Sequence, residues 1–94
     1  MSVHPGEIIR EDVLPAFGLN VTQAAKAIGV ARPGFNNMLN GKRALTHELA
    51  LKIEAAFGVS ADLLTRAQNL YSLEQARRQN KLNLPAALDT VNSV

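Results

Sequence analysis

Arg32, Asn36 and Asn37 stand four and five residues apart in the stretch RPGFNNMLNGKR, which closes on Lys42 and Arg43. These residue types have a definite chemistry. A carboxamide bonds adenine through two hydrogen bonds at once, and a guanidinium does the same to guanine. Ammonium and guanidinium groups beside them suit phosphate. Between Asp12 and Glu48 there is no acidic residue, while Lys26, Arg32, Lys42 and Arg43 all fall there. A face cleared of acids in this way fits a polyanion. The other chemistry-bearing residues combine poorly. His4 and His47 lie far apart, and neither begins a metal-ligand spacing such as H-x-x-x-H. Glu7 and Glu11 would share a helix face, but with Asp12 they read as the wet side of a first helix. The glycines read as helix stops, not as a phosphate-cradling loop. No enzyme activity, metal or cofactor is expected.

The amides must be held by what surrounds them. The segment NVTQAAKAIGVARPGFNNMLNGKR, residues 20–43, reads as two short helices joined by a tight turn. Asn20 is a strong N-cap, and Gln23 three residues later completes a capping-box spacing. Ala24, Ala25 and Ile28 recur at helical spacing, and Gly29 stops that helix. Pro33 belongs in the first turn of the second helix. Phe35, Met38 and Leu39 anchor it inward, and Gly41 ends it. Ala25 and Gly29 are small enough for the two helices to cross closely. Arg32, Asn36 and Asn37 then face outward. This describes a helix-turn-helix, whose second helix enters the DNA major groove. Two helices about a glycine turn also occur in bundles that bind nothing. Spacing alone does not separate these readings; the acid-free stretch favours DNA.

The flanks supply more helices. Met1 to His4 reads as a loose lead-in, and Pro5 suits the first position of a helix with Glu7 in its first turn. Ile8, Ile9, Val13 and Leu14 form its apolar side. Pro15 predicts an end near Leu14, with Phe17 in the core. Thr46 caps a helix marked by Leu49, Leu51, Ile53 and Phe57 and stopped at Gly58. In it Ala50 and Ala56 allow close packing. Ser60 caps a last helix running to about Gln79. Its distal half, Leu70 to Arg78, carries apolar groups with no obvious partner in one chain. A second copy, a different protein, or a fold back onto its own core would cover them. Residues 80–94, interrupted by Pro85, form a C-terminal tail, either a short helix around Pro85 to Thr90 or flexible.

Ninety-four residues with 47% apolar content make one folded domain, over residues 1–79, with a marginal core that pairing would help. A formal net charge of +2 is too small for a chain that coats nucleic acid indiscriminately, so any DNA affinity must be local. The absence of cysteine removes disulfides and thiolate metal sites and suits a reducing cytoplasm. No apolar run is long enough to span a bilayer, and no signal-peptide core follows Met1.

Three segments then carry a resemblance. HPGEIIREDVL at the start, TQAAKAIGVARPGFNNMLNGKRALTHELALKIEAAFG in the centre, and SADLLTRAQNLYSLEQAR at the end together resemble the HigA-type antitoxins, helix-turn-helix proteins related to phage repressors. The specific parts are the HPGE start, RP-x-x-x-x-x-LNGKR, LALKIEAAFG, and NLY followed by L-x-x-A. The resemblance covers His4 to Arg78. It implies an all-α fold, a five-helix phage-repressor-like domain with an extended C-terminal helix. It also implies an antitoxin that neutralises a RelE-like (HigB-type) ribonuclease toxin and, as a homodimer, binds a palindromic operator in double-stranded DNA to repress its own operon. On this analogy Arg32, Asn36 and Asn37 face bases, and Asn20, Thr22, Gln23, Asn40, Lys42 and Arg43 meet phosphates. Leu70, Tyr71, Leu73 and Ala76 would form the dimer interface. The alternative is a stand-alone regulator, or a protein-interaction module that kept the fold.

The chain departs from the family pattern at several positions. Ala31 stands where a capping Ser is frequent, Gly34 where a Thr is common, and Asn37 where an Arg is frequent. The aromatic residue expected after Ser60 is missing. The recognition surface is therefore less basic than the family's. Either the operator is read mostly by Asn36, Asn37 and Arg32, or operator affinity is modest.

Overall fold

In the computed structural model, residues 2–80 are described, and within them the chain is all-α. The tail expected over 81–94 lies outside the described residues. The first helix, α1, spans 5–17 without a break: α-helical at Pro5–Ile8, π-helical at Ile9–Val13, and α-helical again at Leu14–Phe17. It is followed by α2 (Val21–Ile28), α3 (Arg32–Leu39), α4 (His47–Phe57) and α5 (Ala61–Asn80).

The first helix differs from expectation at both ends. Its N-terminus is not loose. His4 is buried, and its Nδ1 accepts the Gly6 N–H at 2.9 Å, which caps the helix. Ser2 is tied down as well, its hydroxyl donating to Glu74 of α5 at 2.9 Å. At the other end the helix passes through Pro15 instead of stopping near Leu14. In an α-helix the proline ring strikes the carbonyl four residues back. Here a wider π turn, with the Leu14 N–H bonded to the Ile9 carbonyl, lies just ahead of Pro15 and relaxes that spacing. The extra turn carries Phe17 past the edge of the core. It is 52% exposed and rests against Phe57, ring centroids 5.1 Å apart.

The caps of the remaining helices follow the sequence. Asn20 and Gln23 form a reciprocal capping box, Thr46 Oγ1 accepts the Leu49 N–H, and Ser60 Oγ accepts the Leu63 N–H. Ala31, with no side chain to offer, leaves the start of α3 without a side-chain cap. Gly29 takes a left-handed φ of 73°, and the Val30 N–H returns to the Ala25 carbonyl at 3.0 Å. That pairing closes the end of α2 and turns the chain into α3.

One core holds all five helices. Ile9, Val13 and Leu14 meet Ala24, Ala25 and Ile28 of α2, Phe35, Met38 and Leu39 of α3, Ala50 and Ile53 of α4, and Leu64 of α5. Leu51 and Ala56 of α4 instead face outward. α1 crosses α3 so closely at Gly6 that a methyl there would collide with the Met38 carbonyl and stand 2.9 Å from Leu39 Cα. The buried residues of α5 are Ala61, Leu64 and Gln68, all in its first half. The helix continues to Asn80, and beyond Gln68 it meets the N-terminal segment through Tyr71 and Glu74 while Leu70 and Leu73 stay exposed.

Candidate nucleic-acid interface

Phe35, Met38 and Leu39 are each at most 2% exposed and root α3 in the core. The opposite side of the helix is thereby fixed. It carries Arg32, exposed, and Asn36 and Asn37, both half-buried. The side-chain hydrogen bonds nearby belong to Arg10, Asn20, Gln23 and Asn40; among the described residues none involves Arg32, Asn36 or Asn37. Their side-chain donors and acceptors remain available to a ligand.

The flanking amides are arranged differently. Asn20 Oδ1 accepts the Gln23 N–H at 2.8 Å, and Gln23 Oε1 accepts the Asn20 N–H at 3.0 Å. Each carboxamide has engaged its oxygen within the protein and keeps its NH₂ donors. Asn40 behaves alike, its Oδ1 accepting from Arg10 Nη1 at 3.1 Å. Donors left over at exposed positions suit phosphate oxygens. Thr22, between Asn20 and Gln23, is exposed on the first turn of α2.

The loop after α3 is built onto its end. The Gly41 N–H bonds the Met38 carbonyl at 3.0 Å and the Lys42 N–H bonds the Asn37 carbonyl at 2.9 Å, with Gly41 at a φ of 74°. Arg10 adds a bond to the Leu39 carbonyl at 3.3 Å, a cation at the negative end of the helix. On the far side of the loop the Leu45 N–H donates to buried Gln68 Oε1 at 2.8 Å. Between these anchors, Lys42 and Arg43 extend exposed side chains.

His4 supplies a further anchor. Its Nδ1 accepts a hydrogen bond, so the ring proton sits on Nε2, which donates to the Arg43 carbonyl at 3.1 Å. The Tyr71 ring meets the imidazole edge-on at 4.9 Å. Burial lowers the pKa of His4 below the usual histidine value, and its bond to the Arg43 carbonyl offsets part of that. A neutral ring is what this arrangement requires, because a doubly protonated one has no acceptor for Gly6.

His4, Arg10 and Gln68 were not singled out as site residues by sequence reading. For His4 a signal existed: Pro5 at the first helical position makes residue 4 the cap. Arg10 and Gln68 left no comparable trace, since their partners are distant in the chain.

Of the residues expected to pair two copies, Leu70, Leu73 and Ala76 follow one another at three-residue spacing and are exposed, while Tyr71 is half-buried against His4. Leu70 and Leu73 are 54% and 42% exposed. Tyr71 and Ala76 line a groove between α5 and the Gly41–Ala44 loop, which Leu70 and Leu73 do not border. Among the described residues no helix is long and apolar enough to cross a membrane.

Residues 9–64 match the helix-turn-helix family model. The chain belongs to the helix-turn-helix family. Virulence-associated protein I of Dichelobacter nodosus is 32% identical over 94 residues, covering 97% of this chain and 87% of that protein. Among solved structures, the antitoxin HigA of Pseudomonas aeruginosa with the higBA promoter superposes with a TM-score of 0.82 at 29% identity, covering 88% of this chain and 90% of that one. An addiction-module antidote protein of the HigA family from Coxiella burnetii gives 0.79 at 26% identity, covering 88% of this chain and 91% of that one. The phage-repressor-like fold and the kinship with HigA-type antitoxins implied by the sequence are thus shown.

Proposed function

We propose that this helix-turn-helix protein is an antitoxin that binds a palindromic operator as a dimer and represses its own operon. Arg32, Asn36 and Asn37 read base edges on α3. Asn20, Thr22, Gln23, Asn40, Lys42 and Arg43 hold phosphates on either side and set the register. The observation that carries this reading is the state of the carboxamides. Those on α3 keep both donor and acceptor, as base reading needs. Those on the flanks each have their oxygen engaged in one internal bond and keep their NH₂ donors free, as phosphate needs. Structural neighbours solved with promoter DNA support it. Pairing is assigned to the distal half of α5, where Leu70 and Leu73 are exposed.

The second activity, neutralising a RelE-like ribonuclease toxin, rests on the antitoxin neighbours. Two measurements test the pair of functions. The protein should shift a fragment from upstream of its own gene in competition with bulk DNA, with affinity falling steeply as salt rises. Co-expression with the product of the adjacent gene should restore growth, and the two should copurify. A promoter shift with neither growth rescue nor copurification would instead describe a stand-alone regulator.

A further inference from the structure

The position of Gly34 departs from the family pattern, and the structure shows what occupies the vacated space. A Cβ built on Gly34 would stand 3.2 Å from Arg43 Nη1 and, its chain neighbours and the backbone of its own helix aside, would meet no other described atom within 4 Å. The guanidinium of a loop residue therefore lies over the first turn of α3, in the notch left by a missing side chain. We propose that Arg43 reads a guanine at the edge of each operator half-site, and that Gly34 is the residue that admits it. The inference rests on the operator-binding reading above and moves Arg43 from the phosphate contacts to the base contacts.

Three observations carry it. The first is where the guanidinium lies. The leading turn of a recognition helix is the part that meets base edges. Gly34 shares a helix face with Asn37, three residues on. A guanidinium over Gly34 thus extends the row of side chains already assigned to bases.

The second is that no ion pair or side-chain hydrogen bond among the described residues explains the placement. The first turn of α3 has no acidic residue. The ion pairs among the described residues are Arg10–Glu11, Lys52–Glu48 and Arg78–Glu74, and none includes Arg43. Glu48 borders the same cleft but is 3.4 Å from Lys52. A cation over the positive end of a helix is repelled by the helix dipole. An electronegative partner from outside removes that mismatch, and the O6 and N7 acceptors of guanine supply one in the geometry a guanidinium fits.

The third is the firmness of the root. The Arg43 carbonyl is held by His4 Nε2 at 3.1 Å, and the backbone two residues on is held by Gln68. A side chain on a fixed backbone reaches the same place each time, which discrimination between bases requires. Beyond Arg32, the first turn has no other polar side chain, since Ala31, Pro33 and Gly34 offer none. Without Arg43 this turn would offer bases a single polar side chain, Arg32.

The test is a scan of single base-pair substitutions across the operator half-site, at several salt concentrations, with wild type, Arg43→Lys, Arg43→Ala and Gly34→Val. Lysine keeps the charge and loses the two-pronged geometry. Valine fills the notch with a group that cannot bond a base. Wild type should lose about tenfold to a hundredfold in affinity when one particular G·C pair per half-site is replaced. Arg43→Lys should keep the wild-type salt slope yet discriminate at that pair by less than about threefold. Gly34→Val should show the same defect although Arg43 is still present. Wild-type discrimination in Arg43→Lys would overturn the proposal, as would a uniform loss on all sequences in Arg43→Ala accompanied by a salt slope flattened by about one. A wild-type protein without preference for its promoter would sink the operator reading itself, and this inference with it.

Discussion

The surface of α2 and α3 and the distal half of α5 are both exposed, and they are exposed in opposite ways. On α2 and α3 the polar groups are arranged by internal bonds. Asn20 and Gln23 cap each other, Arg10 holds Asn40, and His4 holds the backbone of Arg43. The bonds to Asn20, Gln23 and Asn40 leave their NH₂ donors free. On the far half of α5, Leu70 and Leu73 offer area without instruction. The first surface is prepared for a ligand whose chemistry is fixed in advance, the polyanion with its base edges. The second is a greasy stripe that acquires meaning only from a partner of matching shape. Flanks ordered by internal bonds around the unpaired amides of α3 therefore distinguish this surface from a merely available one.

The comparison can be broken most severely from beneath. Phe35→Ala should cost about 3–5 kcal/mol of stability, read by denaturant unfolding, because a side chain 2% exposed leaves a cavity under α3. A loss below about 1 kcal/mol would mean that α3 is not rooted as described. Leu70→Asp acts on the other surface. It should convert dimers to monomers by sedimentation while the unfolding free energy per chain at high protein dilution changes by less than about 0.5 kcal/mol, as for an ordinary surface change. A dimer that survives would move the interface off this stripe. Lys42→Ala should flatten the dependence of log affinity on log salt by about one and weaken all sequences alike. An unchanged slope would remove Lys42 from the phosphate contacts.

Much of this contrast was legible in the residues. The capping box at Asn20, the caps at Thr46 and Ser60, the turn at Gly29 and the inward row of Phe35, Met38 and Leu39 follow from local rules, and they hold in the structure. What was not legible is one irregular turn and two contacts distant in the chain. Pro15 announced a stop, but a π turn ahead of it let the helix run on and carried Phe17 out of the core. His4 looked like lead-in because its other partners, the Arg43 carbonyl and Tyr71, lie far along the chain. Gly34 read as a departure from a common Thr, whereas its empty space is taken by Arg43. At His4 and Gly34 a neighbour brought close only by folding decided the outcome.

The smallest effect sharpens the same contrast through pH. Burial depresses the pKa of His4. The stability held by its neutral ring is complete above the unfolded histidine pKa near 6.5, and it declines as pH falls from there through the lower folded value. Asparagine keeps a capping acceptor and does not titrate. His4→Asn should therefore lose less stability than wild type between about pH 7.5 and the acid side of that window. Identical losses in the two proteins would mean that His4 is not held neutral.

The central claim is that the polar edge of α3 meets bases while its flanks meet the backbone. Its most direct test is the affinity of Asn36→Ala and Asn37→Ala for the cognate promoter fragment and for unrelated DNA at one salt concentration. The account predicts a loss of about 1–3 kcal/mol on the cognate site and none on unrelated DNA. Equal losses on both would contradict it.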